Sequence, residues 1–588
     1  MTRRRIPRQE YTAYAATVLQ SGEIAWDFGN ALRMGDDVTL GGRIQHMGDL
    51  DFADISDNTL ASRIVLVGGA TYGTMIRDDT LNDGNVASYP LAIAKSRNGI
   101  FYRRDPNDLW LHQFGAPLNG TDNDAPAFNA ALAYMSAFGG RKLNLDARPI
   151  VIGSQVFIGD FAPWIAGQSF VEGPNWSLSG GTRMKVNGSG FTPFRITGTQ
   201  ARGARVSDII FYQDHPPLSG PTWSPTVYDP VFDLVDMFGG MTFESCAFVG
   251  IYDAIRSRNG GRLKLDWVRG QIFHTLLDID TAYDVVRIEG GLQLYPYMSA
   301  EARYMKWQQD NAVPLLIGRC DGLFVEDVFG FAANKLIRLY DAGNGVCTKF
   351  SFGSVYGDFC KTTVSIEGDN IRGHFDYLSC DGQDYGSPGT AYPGSVGILQ
   401  SGAAPYITID AFESNYTAGP VIDYSGGAGN IYATSALMLN FGVAAVRFAT
   451  TGASRTVEFA MLPFIAGAVT TIVNAGGVGT VVLTGARNAV SGGVNTVRLF
   501  DSTTGNGPTV APAGTDTNIQ LNLASKGAAP VSIVNPLQLP SVTVATVAST
   551  YPPATYPRSL VYLSDGASNK KLAICDGSAW RYPDGTTV

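Results

Sequence analysis

The sequence predicts a mostly β chain whose central part is a stack of coils, and three observations support this fold class. Seven short strand-like segments begin at residues 241, 263, 285, 323, 349, 371 and 407, at intervals of 22, 22, 38, 26, 22 and 36 residues. Glycine contributes 69 of the 588 residues without a collagen-like period, which indicates many tight turns. Two-residue hairpin signals are few. A period of about 22 residues with loop insertions therefore favours stacked coils over an antiparallel sandwich.

Composition and charge narrow the classes of function. Asp and Glu exceed Lys and Arg by 52 to 43, which gives a net charge of -9 and argues against duplex nucleic acid as the main partner. The six cysteines are widely separated and form no CxxC pair, so we expect reduced, buried thiols rather than a zinc site or a disulfide framework. They are Cys246, Cys320, Cys347, Cys360, Cys380 and Cys575.

Two segments bear on the location of the protein. Arg3, Arg4 and Arg5 are followed by no apolar stretch, so no secretory signal is expected and the chain is expected to stay in the cytoplasm where it is made. Residues 459–473 are the most apolar stretch, but Pro463 interrupts them and they are too short to span a membrane. We interpret this stretch as a buried strand.

Changes in residue composition and pattern divide the chain into four predicted segments. The first mixes charged residues with short β-branched runs, and the second contains the recurring strands. In the third, no charged residue occurs between Glu458 and Arg487. An uncharged stretch of this length is a poor solvated surface and needs partner chains to cover it, so a β-rich trimerisation region is predicted. The fourth contains two strands, each followed by an Asp-Gly turn, that are expected to pair as a hairpin. The segments are 1–110, 111–440, 441–548 and 549–588.

One helix is predicted at the start of the coil region. Asp124 is a candidate N-cap, Pro126 suits the first turn, and apolar residues such as Phe128 and Leu132 recur at helical spacing up to residue 138. Gly139-Gly140 allows a left-handed C-cap. The rest of the chain is expected to be β.

Two motifs resemble those of known families. The first consists of Phe114-Gly115-Ala116, Gly120, Thr121-Asp122, Asp124, Ala130-Ala131-Leu132 and Gly139-Gly140 followed by Leu143-Asn144-Leu145. It resembles the opening motif of the pectate-lyase-like superfamily of right-handed parallel β-helices. The second consists of Ser564-Asp565-Gly566 and Asp576-Gly577-Ser578-Ala579-Trp580-Arg581, and is similar to the closing segment of many phage tail fibre proteins.

Together the two motifs and the coil region resemble bacteriophage tailspikes. The resemblance implies a right-handed β-helix in a homotrimer, with residues 1–110 attaching to a baseplate or tail protein of the virion. It implies that the β-helix binds host surface polysaccharide, without nucleic acid and without membrane insertion. A virion tail protein is made in the host cytoplasm and released by lysis, which agrees with the missing secretory signal.

Cleavage of a polysaccharide by hydrolysis would need two carboxylates facing each other across a glycosidic bond. Stacked coils place strands about 4.8 Å apart and can align such acids. The candidate catalytic acids are Asp284, Glu289, Glu326 and Asp327. The alternative is that they are ordinary solvated carboxylates. Lyase chemistry would instead use a cationic base or clamp, for which Arg262, Lys264, Arg269 and Arg287 are present without a pattern that selects one.

An aromatic cluster is the candidate glycan-binding surface, because flat rings stack on the apolar faces of sugars. The cluster consists of Tyr283, Tyr295, Tyr297, Tyr304 and Trp307. The alternative is that these rings pack structurally or cover a seam between subunits. The five histidines (His46, His112, His215, His274 and His374) lack metal-ligand spacing, so neither a metal site nor a cofactor is expected.

Three classes of function remain open from the sequence. They are a non-catalytic receptor-binding tail protein, a tailspike that also depolymerises its receptor glycan, and a bacterial polysaccharide lyase or glycoside hydrolase with the same β-helix fold. The sequence favours receptor binding and leaves catalysis open.

Overall fold

A computed structural model describes residues 73–588 except 96–98, 199–202, 453–454, 462, 468, 470–471, 474–477, 484–494, 501–508, 515–538 and 568–569, with only the backbone of 495–500 and 509–514 described. Before residue 73 it describes only the backbone of four strands: Ile24–Trp26, Ala31–Met34, Arg43–His46 and Arg63–Leu66. Much of the predicted N-terminal module and of the predicted trimerisation region therefore lies outside the described residues.

The centre of the chain is a right-handed parallel β-helix. Each turn of the chain contributes strands to three parallel sheets, here called sheets 1, 2 and 3 in the order in which the chain visits them. Strands of sheet 1 alone are Leu109–Trp110, Lys142–Asn144, Trp164–Ala166, Ala204–Ser207, Met241–Glu244, Arg455–Phe459 and Thr480–Leu483. Strands of sheet 2 alone are Ile150–Ile152, Thr182–Val186, Ile209–Tyr212 and Phe464–Ala466. Strands of sheet 3 alone are Val156–Ile158, Phe194–Thr197, Phe232–Val235, Leu315–Ile317, Lys335–Leu339, Thr362–Ile366, Val396–Gln400, Ile422–Tyr424 and Val446–Phe448.

Several strands bend and continue from one sheet into the next. Ala247–Gly260 passes from sheet 2 into sheet 3, and Lys264–Leu294 runs through nearly two full turns. Strands that pass from sheet 1 into sheet 2 are Cys320–Phe331, Phe350–Asp358, Arg372–Asp381, Tyr406–Asn415 and Gly429–Leu439. The parallel pairing continues to Thr480–Leu483, after which two antiparallel strands, Asn495–Phe500 and Thr509–Gly514, follow.

The recurring segments in the sequence are successive strands of one sheet. All seven lie in sheet 1, where each pairs in parallel with the next. The 38-residue interval contains a helix, Ala302–Asn311, and the 36-residue interval contains a hairpin of Gln383–Asp384 and Ser387–Ala391. Both insertions leave the coil between sheets 2 and 3. The stacked coils with loop insertions are therefore confirmed, whereas the helix at 302–311 was not predicted.

Inside the coil, apolar residues occupy the same position on consecutive turns. Register places Ile288, Val325, Phe352 and Phe375 on consecutive turns, all buried. The rings of Phe352 and Phe375 stack with centroids 5.1 Å apart. Burying each such side chain contributes about 1.5–3 kcal/mol, and stacked rings add to this. The apolar stripe that one coil cannot bury alone is thus covered by its neighbours.

Part of the high glycine content is explained at the corner between sheets 3 and 1. Gly368, Gly402 and Gly426 follow one another on consecutive turns. A Cβ atom at Gly402 would collide with the carbonyl oxygen of Gly368, and one at Gly426 would collide with that of Gly402. Since backbone cannot move aside as a flexible side chain can, the coil closes at this corner only with glycine.

The helices and the N-terminal sheet complete the first compact unit, residues 1–517. Strands Arg63–Leu66, Gly73–Arg77, Phe101–Arg104 and Ile93–Lys95 form an antiparallel sheet with the short helix Asp83–Ser88 beside it. The predicted helix is present at Ala125–Phe138 and packs its apolar face on the first turns. A hairpin of Phe170–Glu172 and Leu178–Gly180 projects between sheets 1 and 2, and 3-10 turns occupy Leu111–Phe114 and Pro174–Trp176.

Residues 518–588 form a second compact unit. Leu560–Leu563 pairs antiparallel with Leu572–Cys575, as the two Asp-Gly turns predicted, and Trp580–Arg581 and Ser541–Val542 extend the sheet. The helix Val547–Thr550 packs beside it. Trp580 is buried and its Nε1 donates a hydrogen bond of 2.8 Å to the carbonyl oxygen of Tyr551.

Two further findings concern the cysteines and the apolar stretch. All six cysteines are buried, as predicted.

The stretch 459–473 is not the buried strand that we expected, because Met461 and Phe464 are 55% and 64% exposed. Within the described residues, no helix combines the length and the apolar character needed to cross a membrane.

Candidate functional site

The outer face of sheet 1 carries a column of acidic side chains. Because side chains alternate along a strand, every second residue points outward, and parallel register aligns such residues about 4.8 Å apart. Ile288 pairs with Val325, so Glu289 and Glu326, which follow them, lie on adjacent turns. The same register continues to Gly353, Asp376 and Asp410 on the following turns.

A cleft of about 430 Å³ opens along this column. Its wall includes the three candidate acids Glu289, Glu326 and Asp327, together with the exposed ring of Phe324. The hollow exists partly because Gly353 has no side chain, and a Cβ atom there would collide with the carbonyl oxygen of Glu326. Ser351, Ser354, Asp376 and Arg287 complete the polar lining, and the guanidinium of Arg287 lies 5.4 Å from the centroid of the Phe324 ring.

The three candidate acids in the cleft have different surroundings. Glu289 is 2.6 Å from the ammonium of Lys264, and this contact, with a second one to Asp266, raises the pKa of Lys264. Glu326 accepts a hydrogen bond of 2.9 Å from the backbone N–H of Gly290. Asp327 accepts no hydrogen bond and forms no ion pair within the described part of the chain. Glu289 is therefore paired with a cation, Glu326 is held by a backbone N–H, and Asp327 is open, while Asp376 is a fourth carboxylate of the cleft.

Asp284, the fourth candidate acid, lies apart from the cleft. Its carboxylate is 2.7 Å from the guanidinium of Arg262, and this hydrogen bond lowers the pKa of Asp284. The structure thus brings Glu289, Glu326 and Asp327 together but places Asp284 in a surface ion pair at the corner between sheets 3 and 1.

The cations considered for lyase chemistry all have carboxylate partners. Arg262 binds Asp284 and Lys264 binds Glu289, as described above. Arg269 is 2.5 Å from Glu172, and Arg287 is 3.6 Å from Glu289. A neighbouring carboxylate favours the protonated form of a guanidinium or ammonium, which has no lone pair to accept a proton, so this arrangement gives no support to a cationic base in the cleft.

The five candidate aromatic residues do not share one surface. Tyr304 and Trp307 lie on the helix Ala302–Asn311 and pack with Trp223 in a second apolar cluster, outside the coil. The indole N–H of Trp307 donates to the carbonyl oxygen of Phe273, at 3.1 Å. Packing, the alternative interpretation, is the role that these contacts support for both.

The other three aromatic residues lie elsewhere. Tyr295 stacks on Phe329 with centroids 4.4 Å apart, and the buried Tyr297 donates a hydrogen bond of 3.0 Å to Glu172. Tyr283 is 43% exposed, with the guanidinium of Arg319 above its ring at 4.6 Å. Of the five, Tyr283 is the most exposed, but Arg319 and Phe238 lie against its ring. Phe324, which we did not select from the sequence, lies in the cleft itself.

Register also brings together three residues that the sequence did not connect. The Nε2 atom of His374 is 2.7 Å from a carboxylate oxygen of Asp376 and 3.6 Å from one of Asp410. The Nδ1 atom of His374 is 2.7 Å from the hydroxyl of Thr408. These donor atoms lie close enough together to hold a metal ion. The only signal in the sequence is a His-x-Asp alternation, because Asp410 lies 34 residues beyond Asp376.

A second acidic group lies at the end of sheet 2 and was also missed. Asp358 and Asp381 end two consecutive strands, and Asn415 follows on the next turn. Burial, together with the charge of Asp381, raises the pKa of Asp358 to about 6. Burial also raises the pKa of Asp381. This pair therefore titrates closer to neutral pH than an ordinary surface carboxylate.

Comparison with known proteins gives similarity only at the level of fold. No protein-family model matches the sequence, and neither does any curated protein. Among solved structures, the chain is similar to the catalytic domain of a GH87 α-1,3-glucanase in complex with nigerose, with a TM-score of 0.39 and 11% identity over 65% of this chain and 71% of that one. It is similar to the enzymatically active domain of tailspike protein 2 of bacteriophage CBA120, with a TM-score of 0.32 and 12% identity over 72% of this chain and 55% of that one. It is also similar to ORF18 of Geobacillus virus E2, with a TM-score of 0.32 and 12% identity over 90% and 94%.

Proposed function

We propose that this protein is a receptor-binding protein of a phage tail that holds host surface polysaccharide in the cleft on sheet 1. The observation that carries the proposal is the cleft of about 430 Å³, in which carboxylates on adjacent turns lie beside the 44% exposed ring of Phe324 and the guanidinium of Arg287. Carboxylates accept hydrogen bonds from sugar hydroxyls, and an aromatic face covers the apolar face of a sugar ring. The column of side chains runs along the coil axis, which suits a polymer that crosses several turns.

The phage assignment is supported by the two sequence motifs at the start of the coil and at the C-terminus. In this proposal the N-terminal module attaches to a baseplate or tail protein, and the chain is part of the virion tail. The chain forms a homotrimer through its C-terminal region. The low charge of 459–486 and the exposure of Met461 and Phe464 support an interface between copies at that end.

Binding is tested with the full-length chain on an array of bacterial surface polysaccharides. We expect Phe324→Ala to weaken binding about tenfold, because a stacked ring contributes about 1 kcal/mol or more beyond its buried area. Phe157→Ala is the matched control, since Phe157 is a similarly exposed ring on sheet 3, away from the cleft. Equal affinity of Phe324→Ala and the parent protein would remove the cleft from the proposal. If the chain bound no polysaccharide, the proposed function would be wrong.

Cleavage is the second candidate function, favoured by the spacing of the acids. Glu289 and Glu326 lie on adjacent turns, about 4.8 Å apart along the stack, which is close to the separation of about 5 Å in retaining glycoside hydrolases. Release of reducing ends that is lost in Glu289→Gln and in Glu326→Gln would establish hydrolysis by this pair. Unsaturated product ends would instead favour the alternative, a polysaccharide lyase. Binding without any product after long incubation would leave adhesion alone.

A further inference from the structure

A second hollow lies on sheet 1, at the opposite end of its strands from the acidic cleft. Its volume is about 640 Å³, and it is lined by Arg372, Tyr406 and Asn430 above a floor of small residues. In the strand Arg372–Asp381, Arg372 lies four residues before Asp376 of the acidic cleft. At about 3.3 Å per residue, the two sites are about 13 Å apart in the direction of the strands.

Register arranges these side chains as a column on consecutive turns. Arg372 pairs with Tyr406, and Tyr406 pairs with Asn430. Lys349 precedes Phe350, whose register partner is Gly373, so Lys349 lies one turn before Arg372. The column therefore presents two cations, then an aromatic ring, then an amide.

The two cations in this column have no carboxylate partner. Within the described residues, the side chains of Lys349 and Arg372 form neither a hydrogen bond nor an ion pair, whereas Lys264 and Arg287 on earlier turns of the same sheet both contact Glu289. Adjacent like charges repel each other, and this protein carries a net charge of -9 that could have supplied partners. An unpaired cation pair on such a surface favours an anionic ligand.

The ring and the floor of the hollow suit a sugar. Tyr406 is 55% exposed and stacks on no other aromatic ring in the described part of the chain. At the floor, a Cβ atom at Gly429 would collide with Pro405, so no side chain there can fill the space. The hollow is therefore formed by backbone that cannot collapse inward, with an open aromatic face at its side.

We propose that this hollow binds a carboxylate-bearing sugar, such as a uronic acid, of the polysaccharide that sheet 1 holds. The inference rests on the proposed function and names its substrate class. The planar guanidinium of Arg372 matches a carboxylate through two parallel hydrogen bonds, and Lys349 adds a point charge on the preceding turn. Tyr406 stacks on the sugar ring and Asn430 binds its hydroxyls. The acids of the cleft lie at the other end of the strands on the same face of sheet 1, so the charge gradient along the strands orients the acidic sugar towards Arg372.

The test uses the full-length chain and an array of neutral and uronate-bearing polysaccharides, each uronate-bearing one accompanied by its carboxyl-reduced form. We expect binding to a uronate-bearing member at low salt, weakened about tenfold by carboxyl reduction. Arg372→Gln should weaken binding to the same degree and should have no effect on the reduced polymer. Arg372→Lys should lose part of the affinity, because lysine keeps the positive charge but cannot form the two parallel hydrogen bonds. Tyr406→Ala should weaken binding of both the carboxylated and the reduced polysaccharide. The matched control is Lys361→Gln, because Lys361, at the corner between sheets 2 and 3, forms no ion pair with any residue that the structure describes.

The possible results separate this inference from the proposed function. Binding of neutral polysaccharides alone, or equal binding of the carboxylated and reduced forms, would overturn the inference and leave the function standing. Unchanged affinity of Arg372→Gln, with an unchanged melting curve, would also overturn it. A change in native mass in Arg372→Gln would show that the hollow is a contact between copies of the chain. Binding to no polysaccharide would overturn both proposals.

Discussion

At the scale of single residues, Asp358 shows how the stack changes the chemistry of a side chain. Burial, with the neighbouring charge of Asp381, raises the pKa of Asp358 to about 6, above the value of 3.8 expected in the unfolded chain. The folded state thus holds the proton more tightly than the unfolded state. The resulting advantage to the folded state is complete below about pH 4 and is lost as the pH rises towards 6. At neutral pH, the ionised Asp358 therefore destabilises the coil.

We expect Asp358→Asn to raise the stability of the coil by about 1–2 kcal/mol at pH 8 and to have little effect near pH 4. Thermal unfolding of the full chain across this pH range measures the difference. Glu367→Gln is a control of opposite sign. Burial opposes ionisation of Glu367, but hydrogen bonds from Arg338 and Lys335 lower its pKa to about 2, so its replacement should destabilise the protein at neutral pH. If Asp358→Asn stabilised the protein equally at all pH values, the raised pKa of Asp358 would not be the cause.

At the scale of elements, the opening motif shows what local patterns can and cannot predict. The helix begins at Ala125 and ends before Gly139, whose φ of 82° is the left-handed cap that the two glycines predicted. Asp124 occupies the N-cap position, but its side chain does not cap the helix. Instead its carboxylate accepts hydrogen bonds from the backbone N–H groups of Leu118 and Val151, at 3.0 and 2.8 Å. This fully buried carboxylate joins the motif to the first strand of sheet 2.

Removing this carboxylate should detach the motif from the coil. In Asp124→Ala, two buried N–H groups lose their acceptor, and each costs about 1–3 kcal/mol. We expect a destabilisation of about 2–5 kcal/mol, measured as a shift in the thermal or denaturant unfolding of the full chain. Asp122→Ala is the matched control, because Asp122 is exposed and is therefore expected to change stability by less than about 0.5 kcal/mol. Equal stability of the two variants would show that the hydrogen bonds of Asp124 are dispensable.

Sequence patterns predicted sheet 1 and the order of the coils, because its strands alternate buried and exposed residues over three or more positions. They did not predict the bent strands that continue into sheet 2, because the corner residues interrupt the alternation. The helix at 302–311 escaped prediction since its few apolar residues, such as Met305, pack on the outside of the coil, against Phe273 and the inserted Trp223, rather than in the interior that the strand pattern indicates. Within the cleft, Glu289 and Glu326 could be selected from the sequence. The approach of Asp410 to His374 could not, because it depends on the number of residues inserted between two turns.

At the scale of the whole molecule, the exposed apolar end of the coil requires an explanation. Met461 and Phe464 are 55% and 64% exposed, in a stretch without charged residues. A single apolar residue on a surface is ordinary, but a cluster in an uncharged region indicates an interface. Since the closing motif is similar to that of phage tail fibre proteins, and the resemblance to tailspikes implies a homotrimer, we expect this end to face two further copies of the chain.

Native mass measurement of the full chain should therefore give a trimer. Phe464→Asp places a charge in the proposed interface, and we expect it to shift the protein to monomer while its circular dichroism is unchanged, because Phe464 contributes little to the core of the coil. Val171→Asp is the matched control, since Val171 is 65% exposed on the hairpin between sheets 1 and 2. This variant should remain trimeric. A monomeric parent protein would contradict trimerisation as a whole. A trimer that survives Phe464→Asp would instead place the interface elsewhere, because a buried carboxylate without a partner is strongly destabilising.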